Sequence, residues 1–259
     1  MTTNQAFTIL TNIAGPHVAR IICDAFPNPS RWRIWLISRQ LRANMPVAKI
    51  VHNKWFYGLQ FYTDKWTLDP RPDTETLVDC VINDYKKSKH IAIADLGTGT
   101  GCIICAIAKN INATGIAVEK SHRAIRVARK NIQNLGLKNQ IALVHASFSS
   151  PHALPDNKFD VIVSNPPYIA HGDQRVNAAA MHDPKMALFA KHNGFAAYEQ
   201  IAKNAKHWLK PEGRIYLEIG IGMEKSVEKI FTDNGWTFIK SATDLGDIIR
   251  VLVFENIKQ

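Results

Sequence analysis

Asp95-Leu96-Gly97-Thr98-Gly99-Thr100-Gly101 follows the apolar run Ile91-Ala92-Ile93-Ala94 and precedes Cys102-Ile103-Ile104-Cys105-Ala106-Ile107-Ala108. That succession reads as a strand, a glycine-rich turn and a helix of small apolar residues. Glycines in such a turn permit positive φ and let a ligand lie close to the backbone over the strand end. Outward from it, strand patterns recur at 114–119, 141–145, 159–164, 214–219, 236–241 and 250–254. Helical patterns separate them. Ser121 caps one whose Ile125, Val127, Ala128, Ile132 and Leu135 recur near a 3.6 period, and others cover 196–209 and 224–233. The alternation predicts an α/β fold, a mostly parallel sheet with helices on both faces.

The chain changes character at Asp69-Pro70-Arg71-Pro72. Upstream lie helical patterns at 17–22 and, after a Ser30 cap, through Trp32, Ile34, Trp35, Ile37 and Leu41. Ile50-Val51 and residues 56–62 predict two short strands turning at His52-Asn53-Lys54. The expected organisation is a helical N-terminal domain over 1–46, a β-hairpin and linker over 47–69, and a catalytic domain over 70–259.

Of 259 residues, 46% are hydrophobic and 21% charged, which excludes a disordered chain. No apolar run approaches the ~20 residues of a membrane span, and the first residues lack a secretory signal, so a cytoplasmic protein is expected. Lys and Arg number 32 against 22 Asp and Glu, a net charge of +10 that suits acidic or phosphate-bearing partners but is spread along helical stretches, as solvated faces are. Four cysteines are too few for a disulfide scaffold. Cys102 and Cys105 have C-x-x-C spacing, yet no second Cys/His pair accompanies them, so core packing is expected and no metal.

Glu119 ends the second strand, where a carboxylate can take the hydroxyls of an adenosine ribose; a dinucleotide would fit that far as well. Asp95 separates the two. A carboxylate at the mouth of the turn repels a pyrophosphate but suits S-adenosylmethionine, which carries a sulfonium and an ammonium and no phosphate. Phe148, after the third strand, is placed either to pack on an adenine or to serve as an ordinary core aromatic.

Asn165-Pro166-Pro167-Tyr168 follows the strand Phe159-Asp160-Val161-Ile162-Val163-Ser164. Two prolines stiffen the loop and hold the Asn165 side-chain carbonyl and the Pro166 backbone carbonyl in fixed relation. Two acceptors aimed at one point suit an NH₂ group. An amide or ring amine is a poor nucleophile, and holding both its hydrogens directs the nitrogen lone pair, so catalysis rests on orientation and electrostatic fit. Tyr168 offers an aromatic wall.

With these motifs in place the chain resembles the HemK/PrmC family of release factor glutamine methyltransferases. Pro46-Val47-Ala48-Lys49-Ile50 and Trp55-Phe56-Tyr57-Gly58 are similar to the family's hairpin region, and Pro70-Arg71-Pro72-Asp73-Thr74-Glu75 to its most discriminating signature. Asp183-Pro184, Ala187-Leu188, Leu217-Glu218-Ile219-Gly220 and Asp244-Leu245-Gly246 with Arg250 agree too. The resemblance implies a class I S-adenosylmethionine-dependent methyltransferase: a Rossmann-like seven-stranded sheet with a small helical N-terminal substrate-recognition domain and a connecting hairpin. It implies methyl transfer to the glutamine amide of the Gly-Gly-Gln motif of peptide chain release factors. It also implies cofactor binding by Asp95, Gly97, Thr98, Gly99, Thr100, Gly101, Glu119, Phe148 and Asn165, and glutamine binding by Asn165, Pro166, Pro167 and Tyr168. Arg71 and Glu75 would buttress the site. Glu119 stands where the family usually has Asp, Ser147 where an acid is common, and the segment before Ile37 is short and matches poorly. A monomer without stable nucleic-acid or membrane partners is expected. The alternative is methylation of an exocyclic amine of adenine or guanine, which uses the same acceptor pair but needs a base taken out of its stack.

Overall fold

A computed structural model of the chain describes residues 1–156, 158–173 and 180–256. Three helices come first: α1 (Thr3–Ala25), α2 (Arg31–Arg42) and α3 (Val47–Val51). The helical pattern expected from His17 extends back to Thr3, because Thr2 and Gln5 form a reciprocal capping box. Gly15, at φ +84°, kinks the helix together with Pro16. By length and composition alone α1 could cross a membrane, at a mean hydropathy of 1.2, which corrects the reading that no segment approaches that length. Its Ala6, Leu10, Ala19 and Ile22 are fully buried in one cluster with Ile34, Ile37 and Ile50, the arrangement of a bundle helix.

The expected strand at Ile50-Val51 is helical. Ile50 packs into the bundle cluster from this helix, and the left-handed His52 ends α3. The hairpin follows as β1 (Lys54–Phe56) and β2 (Leu59–Phe61), turning at Tyr57-Gly58 rather than at His52–Lys54.

After α4 (Glu75–Tyr85) the alternation begins: β3 (Ile91–Leu96), α5 (Cys102–Asn110), β4 (Ala113–Glu119), α6 (His122–Asn134), β5 (Ile141–His145) and β6 (Phe159–Ser164). The short β7 (Ile169–Ala170), α7 (Lys185–Leu188) and β8 (Phe189–Ala190) form a loop region, followed by α8 (Ala196–Trp208), β9 (Leu209–Glu218), α9 (Glu224–Asp233), β10 (Thr237–Thr243) and β11 (Ile249–Glu255). The seven-stranded sheet has the order β10-β11-β9-β6-β3-β4-β5, with β11 antiparallel to both neighbours and the other pairings parallel. β9 starts five residues before the expected Arg214, since Pro211-Glu212-Gly213 is accommodated as an irregularity opposite Phe159–Val161.

One apolar cluster packs α4 and α5 on one face of the sheet; a second packs α8 and α9 on the other around the fully buried Tyr198, Trp208 and Phe231. From β3 the chain winds to β4 and β5 on one side; from β6 it winds to β9 on the other. The carboxyl ends of β3 and β6 therefore border the crevice where an open α/β sheet binds its ligands.

Candidate active site

A cavity of about 430 Å³ opens at that crevice. The glycine turn forms its floor: Gly97 and Gly99 have φ of +74° and +56°, in the left-handed region that a side chain disfavours. A Cβ on Gly99 would have no protein atom nearer than 4.0 Å, so hydrogen alone keeps that part of the cavity open. Thr98 and Thr100 line it as well, while Gly101, at φ +81°, packs against Ala128 and starts α5.

Asp95 lies beneath the turn, not at its mouth. It is fully buried, accepts the Thr98 hydroxyl at 2.6 Å on Oδ2, and leaves Oδ1 without a partner among the described residues. Burial pushes its pKa up to about 7, against the Thr98 hydrogen bond. Glu119 does line the cavity, and its oxygens accept the backbone N–H of Gly99 at 3.1 Å and of Ser121 at 2.8 Å. One carboxylate thus ties the glycine turn to the start of α6, with lone pairs left for a ligand. Phe148 lines the cavity next to Ser147, its ring edge near Gly97 and its carbonyl held by the Asn204 amide at 3.0 Å.

From β6, Asn165 and Pro167 line the same cavity. Asn165 donates from Nδ2 to the Thr74 hydroxyl at 3.2 Å. Pro166 is buried, and Tyr168 is set back behind the cavity wall. Its ring abuts Gly220, where a Cβ would come within 2.9 Å of Cδ2, and a Cβ at Gly194 would strike its backbone carbonyl. Two glycines thus hold Tyr168 from both ends. Burial, with the charge of Glu218, pushes the Tyr168 phenol well above its usual range.

Arg71 and Glu75 part company. Arg71 lines the cavity and donates to Asp183 Oδ2 at 2.7 Å. Glu75 points to the hairpin, where it accepts the Tyr57 N–H at 2.7 Å. Asp183 also lies 2.8 Å from the Lys49 ammonium, without hydrogen-bond alignment. The three Lys49 hydrogens go instead to Asp64 O, Thr67 O and Asp69 Oδ1, at 3.0, 2.8 and 3.1 Å. Lys49, Asp69 and Asp183 are all buried, so this ion cluster joins α3, the linker and the loop whose Pro184, Met186 and Ala187 line the cavity. Burial nonetheless raises the Asp183 pKa.

Cys102 and Cys105 are buried free thiols in α5, pushed up by desolvation, and the described residues contain no group of His, Cys, Asp and Glu able to hold a metal. Lys49, Thr74 and Glu218 carry no role in the sequence reading. Glu218 repeats a pattern that Asp95 and Glu119 already show, an acid at the carboxyl end of an apolar parallel strand.

Residues 87–235 match a methyltransferase domain family. The release factor glutamine methyltransferase of Caulobacter vibrioides is 32% identical over 255 residues, covering 96% of this chain and 88% of that protein. The chain belongs to the release factor glutamine methyltransferase family. The bifunctional methyltransferase of Rickettsia felis is 35% identical over 86% of the chain, and the chain spans about half of its length, 47%. Among solved structures, a methyltransferase from Pyrococcus furiosus superposes with a TM-score of 0.59 over 86% of this chain and 99% of its own, at 17% identity. That likeness bears on the fold, a class I methyltransferase sheet in which the family's glycine turn and Asn-Pro-Pro-Tyr loop meet at one crevice.

Proposed function

We propose that this chain transfers a methyl group from S-adenosylmethionine to the side-chain amide nitrogen of the glutamine in the Gly-Gly-Gln motif of peptide chain release factors, leaving S-adenosylhomocysteine and supporting translation termination in the cytosol. The observation that carries the reading is the meeting of Asn165 and Pro167 with the glycine turn in one cavity, in a chain alignable over most of a release factor glutamine methyltransferase.

The residues present fit the cofactor. Asp95 under the turn has an unmet acceptor oxygen, Glu119 keeps free lone pairs, and the space above Gly99 is open. Negative groups around a glycine floor favour a cationic, phosphate-free ligand. The cofactor, when bound, supplies an electrophilic methyl on a sulfonium. Gly97 to Gly101 bring the backbone to it, Glu119 holds the ribose and Phe148 packs on the adenine, with the Ser147 hydroxyl in place of the acid common in the family. Asn165 Oδ1 and the Pro166 carbonyl accept the two hydrogens of the glutamine amide and aim its nitrogen; Pro167 stiffens the loop, and Tyr168 backs it. The amide proton becomes acidic only once the nitrogen is alkylated, so no strong base is required. Residues 1–46 supply substrate recognition in this reading, supported by the exposed, stacked Trp32 and Trp35 of α2, whose ring centroids are 4.6 Å apart.

The test is incubation with methyl-labelled cofactor and either a release factor or RNA, followed by mass spectrometry of the Gly-Gly-Gln peptide. One methyl on the glutamine is expected; label in RNA alone would replace this reading with the base-amine alternative. Asn165→Ala is expected to spare cofactor binding and to lower turnover by ~10²-fold, as loss of an orienting hydrogen bond does.

A further inference from the structure

Behind Asn165 stands a carboxyl group to which the proposed function gives no task. Glu218 ends β9 one residue past Leu217, the register partner of Ser164, which makes it the neighbour of Asn165 across the parallel pair. It is 2% exposed, and its Oε2 has no hydrogen-bond partner among the described residues. The hydroxyl of Thr74, itself buried, and the amide of Asn165 both lie beside the Glu218 carboxyl and favour its charged form. Asn165 Nδ2 also donates to Thr74 Oγ1 at 3.2 Å.

These contacts decide which way the Asn165 amide faces. Its NH₂ gives one hydrogen to Thr74 Oγ1, and the neighbouring Glu218 carboxylate, an acceptor only, favours the NH₂ rather than the carbonyl on its side. The reversed amide would set Oδ1 against a carboxylate, two acceptors with no proton between them. With Nδ2 on Thr74, Oδ1 is the amide atom left for a ligand in the cavity that Asn165 lines.

We propose that Glu218 is a positioning residue for methyl transfer, its carboxylate holding Asn165, directly and through Thr74, with Oδ1 presented to the substrate amide. This rests on the reading of Asn165 as the acceptor for the substrate NH₂. The charge does more than orient. A carboxylate on the NH₂ side of a carboxamide polarises it and strengthens Oδ1 as an acceptor. It also sets negative charge, in a buried site, behind the nitrogen that gains positive charge as it is alkylated.

Several charged or titratable groups face Glu218: Asp73 from the turn before α4, Arg250 from β11, Tyr168 from the Asn-Pro-Pro-Tyr loop, Tyr198 from α8 and Cys102 from α5. Arg250 is shared with Asp73 and Asp244, at 2.8 and 2.7 Å, so it neutralises Glu218 only in part. Burial, the largest influence, and the charge of Asp73 bring the Glu218 pKa up to about 7. The carboxylate form is present above that pH and is lost below it.

The experiment pairs kinetics with a probe that needs no substrate. In ¹⁵N-asparagine-labelled protein the Asn165 side-chain amide resonances are expected to titrate with a midpoint near pH 7. Glu218→Gln should abolish that midpoint and Asp95→Asn should keep it, which separates Glu218 from the other buried acid that titrates near 7. With a release factor as substrate, Glu218→Gln is expected to keep the KM for S-adenosylmethionine, to lower kcat about 10-fold above pH 8, and to remove the acid limb of the kcat profile, as withdrawal of an oriented charge would. Asn165 resonances that ignore pH in the wild type, or a Glu218→Gln enzyme with unchanged kcat and pH profile, would overturn the proposal. A wild type that leaves the release factor unmethylated would instead refute the function, and the resonance titration would still decide the coupling of Glu218 to Asn165.

Discussion

Replacing Lys49 by Met removes the one ammonium inside the buried cluster that joins the N-terminal helices to the cavity wall. The side chain is 2% exposed, and Met fills nearly the same volume, so the change is electrostatic. Asp69 and Asp183 lose their common partner, and the carbonyls of Asp64 and Thr67 lose a donor. Arg71 continues to hold Asp183, which limits the damage. Removing one partner of a buried ion pair costs about 3–5 kcal/mol, and we expect ~4 kcal/mol at pH 8. For a chain of this size that is a fall of roughly 10 °C in Tm. Acid should relieve it. The Asp183 pKa is already raised by burial and rises further without Lys49, so the folded mutant binds more protons than the unfolded chain. Its stability therefore recovers as the pH falls towards the ordinary aspartate range, and the deficit against wild type should shrink between pH 8 and pH 5. Urea unfolding at both pH values measures this, and Lys49→Met/Asp183→Asn closes the cycle with a coupling above ~1 kcal/mol. A deficit under ~1 kcal/mol, or one unchanged by acid, would show that the ammonium is not the countercharge these carboxylates depend on.

Three further outcomes are expected. Gly220→Ala places a methyl 2.9 Å from the Tyr168 ring and 2.8 Å from Met223 Sδ, so the ring must move; steady-state kinetics should show a fall in kcat with the KM for S-adenosylmethionine unchanged, at a stability cost of ~1–3 kcal/mol. Gly99→Ala should fold at a cost of ~1–2 kcal/mol for its left-handed backbone and, by pushing a methyl into the cavity, weaken cofactor binding in calorimetry. Asp95→Asn should change how stability depends on pH. The Asp95 pKa is near 7 when folded and near 3.8 when unfolded, so the folded state holds the extra proton between those values and stability falls as pH rises through them. Denaturant unfolding at pH 4 and pH 8 should find the mutant gaining on wild type by about 4 kcal/mol over that interval, and parallel curves would refute the assignment.

The fold was legible because its signals are local. Strands 141–145 and 159–164 and the helix from Glu224 to Asp233 lie where apolar periodicity and caps put them. Ile50-Val51 misled because two β-branched residues carry the same strand signal whether they pair in a sheet or, as Ile50 does, reach into a helical bundle. The glycine turn and the Asn-Pro-Pro-Tyr loop announce the two halves of the site by composition. What holds them does not, since it depends on partners distant in the chain: Thr74 with Asn165 across 91 positions, Arg71 with Asp183 across 112. The sequence puts Asp95 at the mouth of the turn, whereas the structure buries it beneath. A strand-end acid can face a ligand or turn under the loop, and the Thr98 hydroxyl that draws it under is visible only in three dimensions.

Cys23, Cys80, Cys102 and Cys105 are all buried, and loss of water raises every one of their pKa values, to about 11 for Cys80 and about 12 for Cys102. Maleimides react with thiolates, so the native protein offers such a reagent almost nothing to label. A single cysteine introduced at the fully exposed Leu245 can therefore carry a fluorophore in the otherwise unaltered chain, and encounters with a partner can be timed optically without first building a cysteine-free background.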